Sequence, residues 1–226
     1  MKLHASHQGI DRTKRRARQT VYWPGINNDI ETTVAACQKC SLFKPSQTKE
    51  TYKMNDETPE WVFQDVAADF FQFAGKNFLV YVDRLSGWPI ITAFKSHTGS
   101  KELIRTFRSH FSDVGVPQRI RTDNGTQFTS FAVKKFMEKF GVEHTFSSPH
   151  YPQSGLAESA VKRVKYLIAK TTKDGNLDSD EFHEGLLEMR NTHRRSGYSP
   201  AEIVFGQNLN SLLLAIREPS RRNGSL

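Results

Sequence analysis

Apolar residues gather into short runs through the second quarter of the chain and then change period. Residues 61–73, 78–82 and 88–94 read as three strands, the last two joined by the turn-like Asp83-Arg84-Leu85-Ser86-Gly87. Helical spacing follows, with Leu103, Ile104, Phe107 and Phe111 on one side of residues 100–111. A short strand over 118–122 precedes a helix from Thr129 onward, carrying Phe131, Val133, Phe136, Met137 and Phe140. Residues 143–147 read as another strand. Residues 156 to about 173 form a helix with Val161, Val164 and Ile168 as its buried stripe, and 178–195 should form the next. Ser199 and Pro200 look like the cap and first turn of a short final helix. Three successive strands suggest an antiparallel meander, and the alternation after them suggests helices covering both faces. The expected class is α/β, with a mixed sheet.

The first forty-five residues do not share this pattern. His4-x2-His7, twenty-nine residues, then Cys37-x2-Cys40 supplies four ligands suited to a tetrahedral zinc site, and these are the only two cysteines in the chain. A disulfide is disfavoured by the close spacing in a chain with no secretory signal. The expected organisation is a zinc-binding module over 1–45, a polar linker with Pro59 over 46–60, a main domain over 61–216 and an unstructured tail over 217–226. The small module buries little surface, so zinc should supply most of its folding free energy. Its basic run, Lys14, Arg15, Arg16 and Arg18, is either a solvated helix face or a phosphate contact.

Composition narrows the partners. Thirty-two Lys and Arg against twenty-four Asp and Glu give a net charge of +8, which suits a polyanion. No apolar run approaches membrane-spanning length, so an intracellular protein is expected.

Three acids interrupt this pattern where chemistry would need them. Asp69 lies in the middle of a strand that looks too apolar to have an exposed face, so its charge needs a cation. Asp65 and Asp83 are rivals, although Asp65 lies nearer the strand start and Asp83 could pair with Arg84. Asp123 stands where a strand ends and the turn Asn124-Gly125 begins, held yet reachable; the plain alternative is an ordinary Asp-Asn-Gly turn. Glu158 opens the helix after the turn-rich Pro149–Gly155 loop. With Glu158 at zero, Lys162 lies near about 40° and Lys165 near about −20°, at one edge of the buried face. Two strands and a helix thus offer three carboxylates to hard divalent ions.

With these residues in view the chain resembles the integrases of retroviruses and, more closely, of gypsy-like long-terminal-repeat retrotransposons. The resemblance rests on the paired His and Cys, Val21-Tyr22-Trp23-Pro24-Gly25-Ile26, Val82-Asp83-Arg84-Leu85-Ser86-Gly87, the Asp123 turn, His150-Tyr151-Pro152-Gln153-Ser154-Gly155, and Gly197-Tyr198-Ser199-Pro200-Ala201-Glu202. It implies a ribonuclease-H-like fold with five strands and a catalytic triad of Asp69, Asp123 and Glu158 holding two Mg²⁺ or Mn²⁺ ions. It further implies 3′-end trimming and strand transfer on double-stranded DNA, an oligomer that joins two DNA ends, and action in the nucleus. Gln153, Lys162 and Lys165 look like family positions that hold terminal DNA, with Asn124 and Tyr151 beside them; a solvated loop amide is the alternative for Gln153, and packing of the loop rather than stacking on a base the alternative for Tyr151. Thirty-four residues separate Asp123 from Glu158, one fewer than the family usually has, and only three precede His4. The additional carboxy-terminal module that family members often carry is not seen. These departures keep open a non-catalytic DNA- or chromatin-binding descendant, and a nuclease without joining activity is a third reading.

Overall fold

The computed structural model describes residues 2–43, 58–94, 98–146 and 155–213, the side chains of 155–158 excepted. The linker expected at 46–60 lies outside the described residues except for its last three, and the expected tail lies wholly outside them.

The amino-terminal module consists of a 3-10 turn at Lys2–His4 followed by α1 (Ile10–Thr20), α2 (Ile26–Ala36) and α3 (Gln38–Leu42). Its buried core is no more than Leu3, Ala17 and Ile30, with Val21, Trp23, Ile26 and Val34 packed around them. So few apolar side chains give a helical unit little stability of its own. The basic run is not one uniform solvated face. Arg18 is exposed and Lys14 pairs with Glu31 of α2, but Arg16 is 2% exposed and its Nε donates to Glu188 Oε2 at 2.6 Å. Thr13, Arg16, Ala17 and Thr20 are the buried positions of α1, a helical stripe in which an arginine stands among small residues.

The main domain is built on five strands, β1 (Asp65–Phe73), β2 (Lys76–Asp83), β3 (Pro89–Phe94), β4 (Arg119–Thr122) and β5 (Glu143–Phe146), in the order β3-β2-β1-β4-β5. The first three form the antiparallel meander, while β4 and β5 add in parallel. Strand β2 is apolar on both faces because both are covered. Leu79 and Tyr81 meet Leu103 and Phe107 of α4 (Ser100–Val114), and Phe78, Val80 and Val82 meet α7 (Gly155–Thr171) and α8 (Asp180–Asn191). The α/β sandwich is therefore as expected.

Several boundaries differ. The first strand starts at Asp65, not Trp61, because Phe63 takes a positive φ of 60° and turns its N–H onto Asp83 Oδ1 at 2.8 Å, leaving Trp61 48% exposed. The helix expected from Thr129 starts at Phe131 as α6 (Phe131–Phe140), and a short α5 (Thr126–Thr129) that was not expected precedes it. Ser130 breaks them apart by taking an extended conformation and capping the Val133 N–H. Helix α8 runs over 180–191 rather than 178–195, with Ser179 as its cap and an extended Thr192 ending it. The final helix, α9 (Pro200–Phe205), has Ser199 and Glu202 in a capping box.

Candidate active site and metal centre

Strand register brings the first two acids together. Strands β1 and β4 run parallel with Asp65 opposite Arg119, Val66 opposite Ile120 and Ala67 opposite Arg121. Two residues farther along each chain come Asp69 and Asp123, so they occupy equivalent positions on adjacent strands, and both share the face of Ala67 and Phe71. That face is the one α7 covers.

Asp123 is exposed just past the end of β4, and the turn after it is shaped around its carboxylate. The Gly125 N–H donates to Asp123 Oδ1 at 3.0 Å, and a methyl group on Gly125 would lie 2.9 Å from that oxygen. No larger residue fits without moving the acid. Asn124 is exposed beside it. Thr122, buried, shares a hydrogen bond with His144 Nε2 at 2.9 Å, and burial lowers the pKa of that imidazole.

Asp69 is less enclosed than the apolar strand suggests, its side chain 32% exposed, and the cation it was expected to need is a lysine. Lys165 Nζ donates to Asp69 Oδ2 at 2.7 Å while lying over the Phe71 ring. Helix α7 places residue 158 two turns before Lys165 on the same side of the helix, the side that meets Asp69 of β1. The Glu158 side chain itself lies outside the described residues, as do Tyr151, Gln153 and the short spacing before Glu158. Lys162 is exposed on α7.

The two rival acids are engaged elsewhere. Asp65 is buried and paired with Arg84, with Arg121 Nη2 at 3.0 Å and with Arg119 Nη1 at 3.5 Å. Arg84, expected beside Asp83, forms an ion pair with Asp65. The Asp83 oxygens accept the N–H groups of Phe63 and Ser86, both at 2.8 Å, and so hold the 83–87 turn. Asp65 is buried with its Oδ2 held by arginines and Asp83 is buried with both oxygens accepting hydrogen bonds, which leaves Asp69 and Asp123 as the accessible pair.

The His/Cys cluster forms as expected. The ligand atoms of His4, His7, Cys37 and Cys40 lie within 4.8 Å of one another, and both cysteines are free thiols. Cys40 Sγ is 3.3 Å from His4 Nε2 and 3.5 Å from His7 Nδ1, and Cys37 Sγ is 3.5 Å from the same His7 atom. Ligands around a tetrahedral zinc stand roughly 3.3–3.8 Å apart, given its bond lengths, so the donor set fits that ion. Burial, then the neighbouring charges of His4, Lys170 and Lys39, hold His7 down at about 4, in the neutral form that can ligate. Burial pushes the Cys40 thiol up, and Lys170 opposes it.

Three contacts at this cluster and its seam carried no clear sequence signal. Lys170, at the end of α7, donates to the His7 carbonyl at 3.1 Å and lies 3.6 Å from Cys40 Sγ. From α8, Glu181 takes Lys39 and approaches His7 Nε2 at 3.9 Å. Gly185 packs so closely that an added methyl would lie 2.6 Å from Leu167 Cδ1 and 3.0 Å from the Ala5 carbonyl. The module is thus seated on α7 and α8. Only the Arg16 contact was open to sequence reasoning, through its place in the buried stripe of α1.

Comparison with known proteins matches both parts of the chain. Residues 1–46 match the integrase zinc binding domain, and residues 57–152 match the integrase core domain. An uncharacterized protein of Caenorhabditis elegans, K02A2.6, is 31% identical over 97% of this chain, and the Pro-Pol polyprotein of feline foamy virus is 26% identical over 91% of it. The chain spans 17% and 18% of the lengths of these two relatives. Among solved structures, a chain of the simian T-cell lymphotropic virus intasome in complex with the PP2A regulatory subunit B56 gamma aligns with a TM-score of 0.58 at 20% identity, covering all of this chain and 80% of that one. The catalytic core domain of BIV integrase aligns at 0.54 and 18% identity, over 64% of this chain and 95% of that one. The chain thus consists of an integrase zinc-binding domain joined to an integrase core domain.

Proposed function

We propose that this protein inserts the DNA of a retroelement into target DNA by metal-dependent phosphoryl transfer at phosphodiester bonds. The observation that carries the reading is the matched register of Asp69 and Asp123 on adjacent parallel strands, beneath the helix that bears Glu158. These three carboxylates would hold Mg²⁺ or Mn²⁺. When bound, such ions activate an attacking water or 3′-hydroxyl and stabilise the leaving 3′-oxygen.

The chain's own residues do the positioning. The Gly125 turn fixes the Asp123 carboxylate at the rim of the sheet. Lys165 holds Asp69 in place by its ion pair, and with Lys162 it offers ammonium groups to the phosphates of a DNA end lying along α7. Asn124, Tyr151 and Gln153 are assigned to contacts with that end. The reaction has two stages, trimming of the 3′ ends and their attack on target DNA, and it requires an oligomer that presents two ends together. The nucleus is the place of action.

Zn²⁺ at His4, His7, Cys37 and Cys40 is structural in this reading. It folds residues 1–45 and so preserves the surface that seats on α7 and α8, while the catalytic unit spans 61–216. Joining of strands on a branched DNA that mimics a half-finished insertion tests the function. Mg²⁺-dependent activity lost in Glu158→Gln supports it, and activity indifferent to that change refutes it.

A further inference from the structure

Five arginines converge where α1 meets α7 and the segment after α8, and none of them belongs to the carboxylate site or the His/Cys cluster. Arg12 and Arg15 come from α1, Arg163 from α7, and Arg194 and Arg195 from the chain beyond α8. A methyl group placed on Gly87 would lie 3.8 Å from Arg194 Nη1 and 3.9 Å from Arg163 Nη2, so these two guanidinium groups flank one point of the 83–87 turn. Arg194 Nη1 is anchored there by the Leu85 carbonyl at 2.7 Å.

The cluster is short of counter-ions among the described residues. Among the described residues, no carboxylate forms an ion pair with Arg12, Arg15, Arg163, Arg194 or Arg195, whereas their neighbour Arg16 has Glu188 and Arg84 and Arg121 have Asp65. Asp83 attracts Arg194, but its oxygens already accept the N–H groups of Phe63 and Ser86. The Nε atoms of Arg15 and Arg163 are shielded from solvent and make no hydrogen bond. Burial, then repulsion from Arg12, Arg194 and Arg15, pulls Arg163 down to about 9; burial, then repulsion from Arg15, Arg194 and Arg195, pulls Arg12 to about 10. Half-buried cations with idle donors destabilise the chain on its own account. An anion with several oxygen acceptors would relieve the repulsion and engage those donors, and phosphate matches the guanidinium fork.

We propose that this seam is a phosphate-binding site, in which Arg12, Arg15, Arg163, Arg194 and Arg195 receive a phosphate-bearing anion between the two domains. It is separate from the carboxylate site, because Arg163 lies about 160° around α7 from Lys165. Since α1 supplies two of the arginines, occupancy would clamp the zinc-binding domain to the core. The phosphate has two possible sources, the backbone of duplex DNA or a free polyphosphate.

Two measurements on the full chain separate them, and neither needs catalysis, so their failure leaves the proposed function standing. The first is thermal unfolding with inorganic tripolyphosphate against sodium chloride of equal ionic strength. The second is the salt dependence of duplex DNA binding by fluorescence anisotropy. Both compare the unaltered chain with Arg12→Gln/Arg163→Gln, and with Arg195→Gln, whose exposed side chain leaves folding undisturbed. The double variant should melt at or above the unaltered chain when no anion is added, because repulsion is relieved. A tripolyphosphate-induced rise in Tm that the variants diminish assigns a free polyphosphate. A salt slope flattened by about 2 in the double variant and by about 1 in Arg195→Gln assigns the DNA backbone. An unaltered Tm response together with an unaltered slope in both variants overturns the proposal.

Discussion

Lys165 Nζ and Asp69 Oδ2 stand 2.7 Å apart, so the carboxylate assigned to a divalent ion is held by an ammonium group from the facing helix. The same lysine is assigned to a DNA phosphate, and the two roles are compatible if DNA draws Lys165 away as the ion takes Asp69. The pair is partly exposed, its side chains 38% and 32% accessible, so its strength is that of a surface ion pair, about 0.2–1 kcal/mol. Lys165→Met should therefore tighten Mn²⁺ binding to the chain by no more than about fivefold, measured by calorimetry, while weakening DNA binding. Mn²⁺ affinity that falls in this variant would show that Lys165 does not compete for Asp69.

The Gly125 turn sets the position of Asp123. Its φ of −56° suits any residue, so alanine costs little in backbone strain; the conflict is the 2.9 Å approach of the added methyl to Asp123 Oδ1. Gly125→Ala should lower strand joining by about tenfold or more with Tm nearly unchanged, since small misplacements of a reacting group are costly. Activity equal to that of the unaltered chain would mean that the Asp123 carboxylate is placed by something other than this turn.

Arg16 and Glu188 join the two domains through a buried ion pair, with side chains 3% and 5% exposed. Removing one partner leaves the other charge buried and unpaired. Glu188→Ala should cost about 3–5 kcal/mol in urea unfolding, whereas the exposed pair of Lys14 and Glu31 should be worth less than about 1 kcal/mol when Glu31 is replaced by Ala. Similar costs for the two would contradict the burial argument. A chelator that strips the His/Cys cluster should unfold the first domain and, through Arg16, Lys170 and Lys39, lower the Tm of the core as well.

His110 gives a pH dependence that belongs to the fold rather than to catalysis. It is 4% exposed against Tyr81 and Thr92, and burial pulls its pKa from the ordinary 6.5 to about 4, although Asp113 opposes the shift. The unfolded chain therefore binds a proton below pH 6.5 that the folded chain refuses until about pH 4. Its contribution is intact above pH 6.5, falls through that window, and levels off below it, a loss of about 3 kcal/mol. His110→Phe should lack this share of the decline in chemical unfolding measured from pH 7 to 4. Parallel stability curves for the two proteins would sink the assignment.

Much of this was legible because it rests on short-range rules. The α/β class, the meander and the His/Cys module follow from period and spacing, and Ser199 with Pro200 marked the last helix start. What was not legible depends on pairing between distant residues. Trp61 fits a strand by composition, but a positive φ at Phe63 that aims its N–H at Asp83 is invisible until Asp83 is nearby. Arg84 neighbours Asp83 in sequence yet pairs with Asp65, because the antiparallel register that sets Val66 opposite Asp83 brings Arg84 beside Asp65, where its N–H also donates to the Asp65 carbonyl at 3.0 Å. Lys170 looks like any lysine ending a helix, and only the docking of α7 under the first domain makes it a neighbour of Cys40.

The most direct test of the central claim is strand joining by the purified full chain on a branched DNA with Mg²⁺ or Mn²⁺, comparing Asp69→Asn, Asp123→Asn and Glu158→Gln with Asp65→Asn. It should be run beside a chain with Asn inserted after Ser154. The account predicts metal-dependent joining that falls by at least about a hundredfold in each of the first three. Asp65→Asn, whose acid serves the arginines of β4 and the 83–87 turn, should lose stability before it loses chemistry. Joining that survives the loss of Asp69, Asp123 or Glu158 would contradict the account, as would a chain that stays silent with and without the inserted residue.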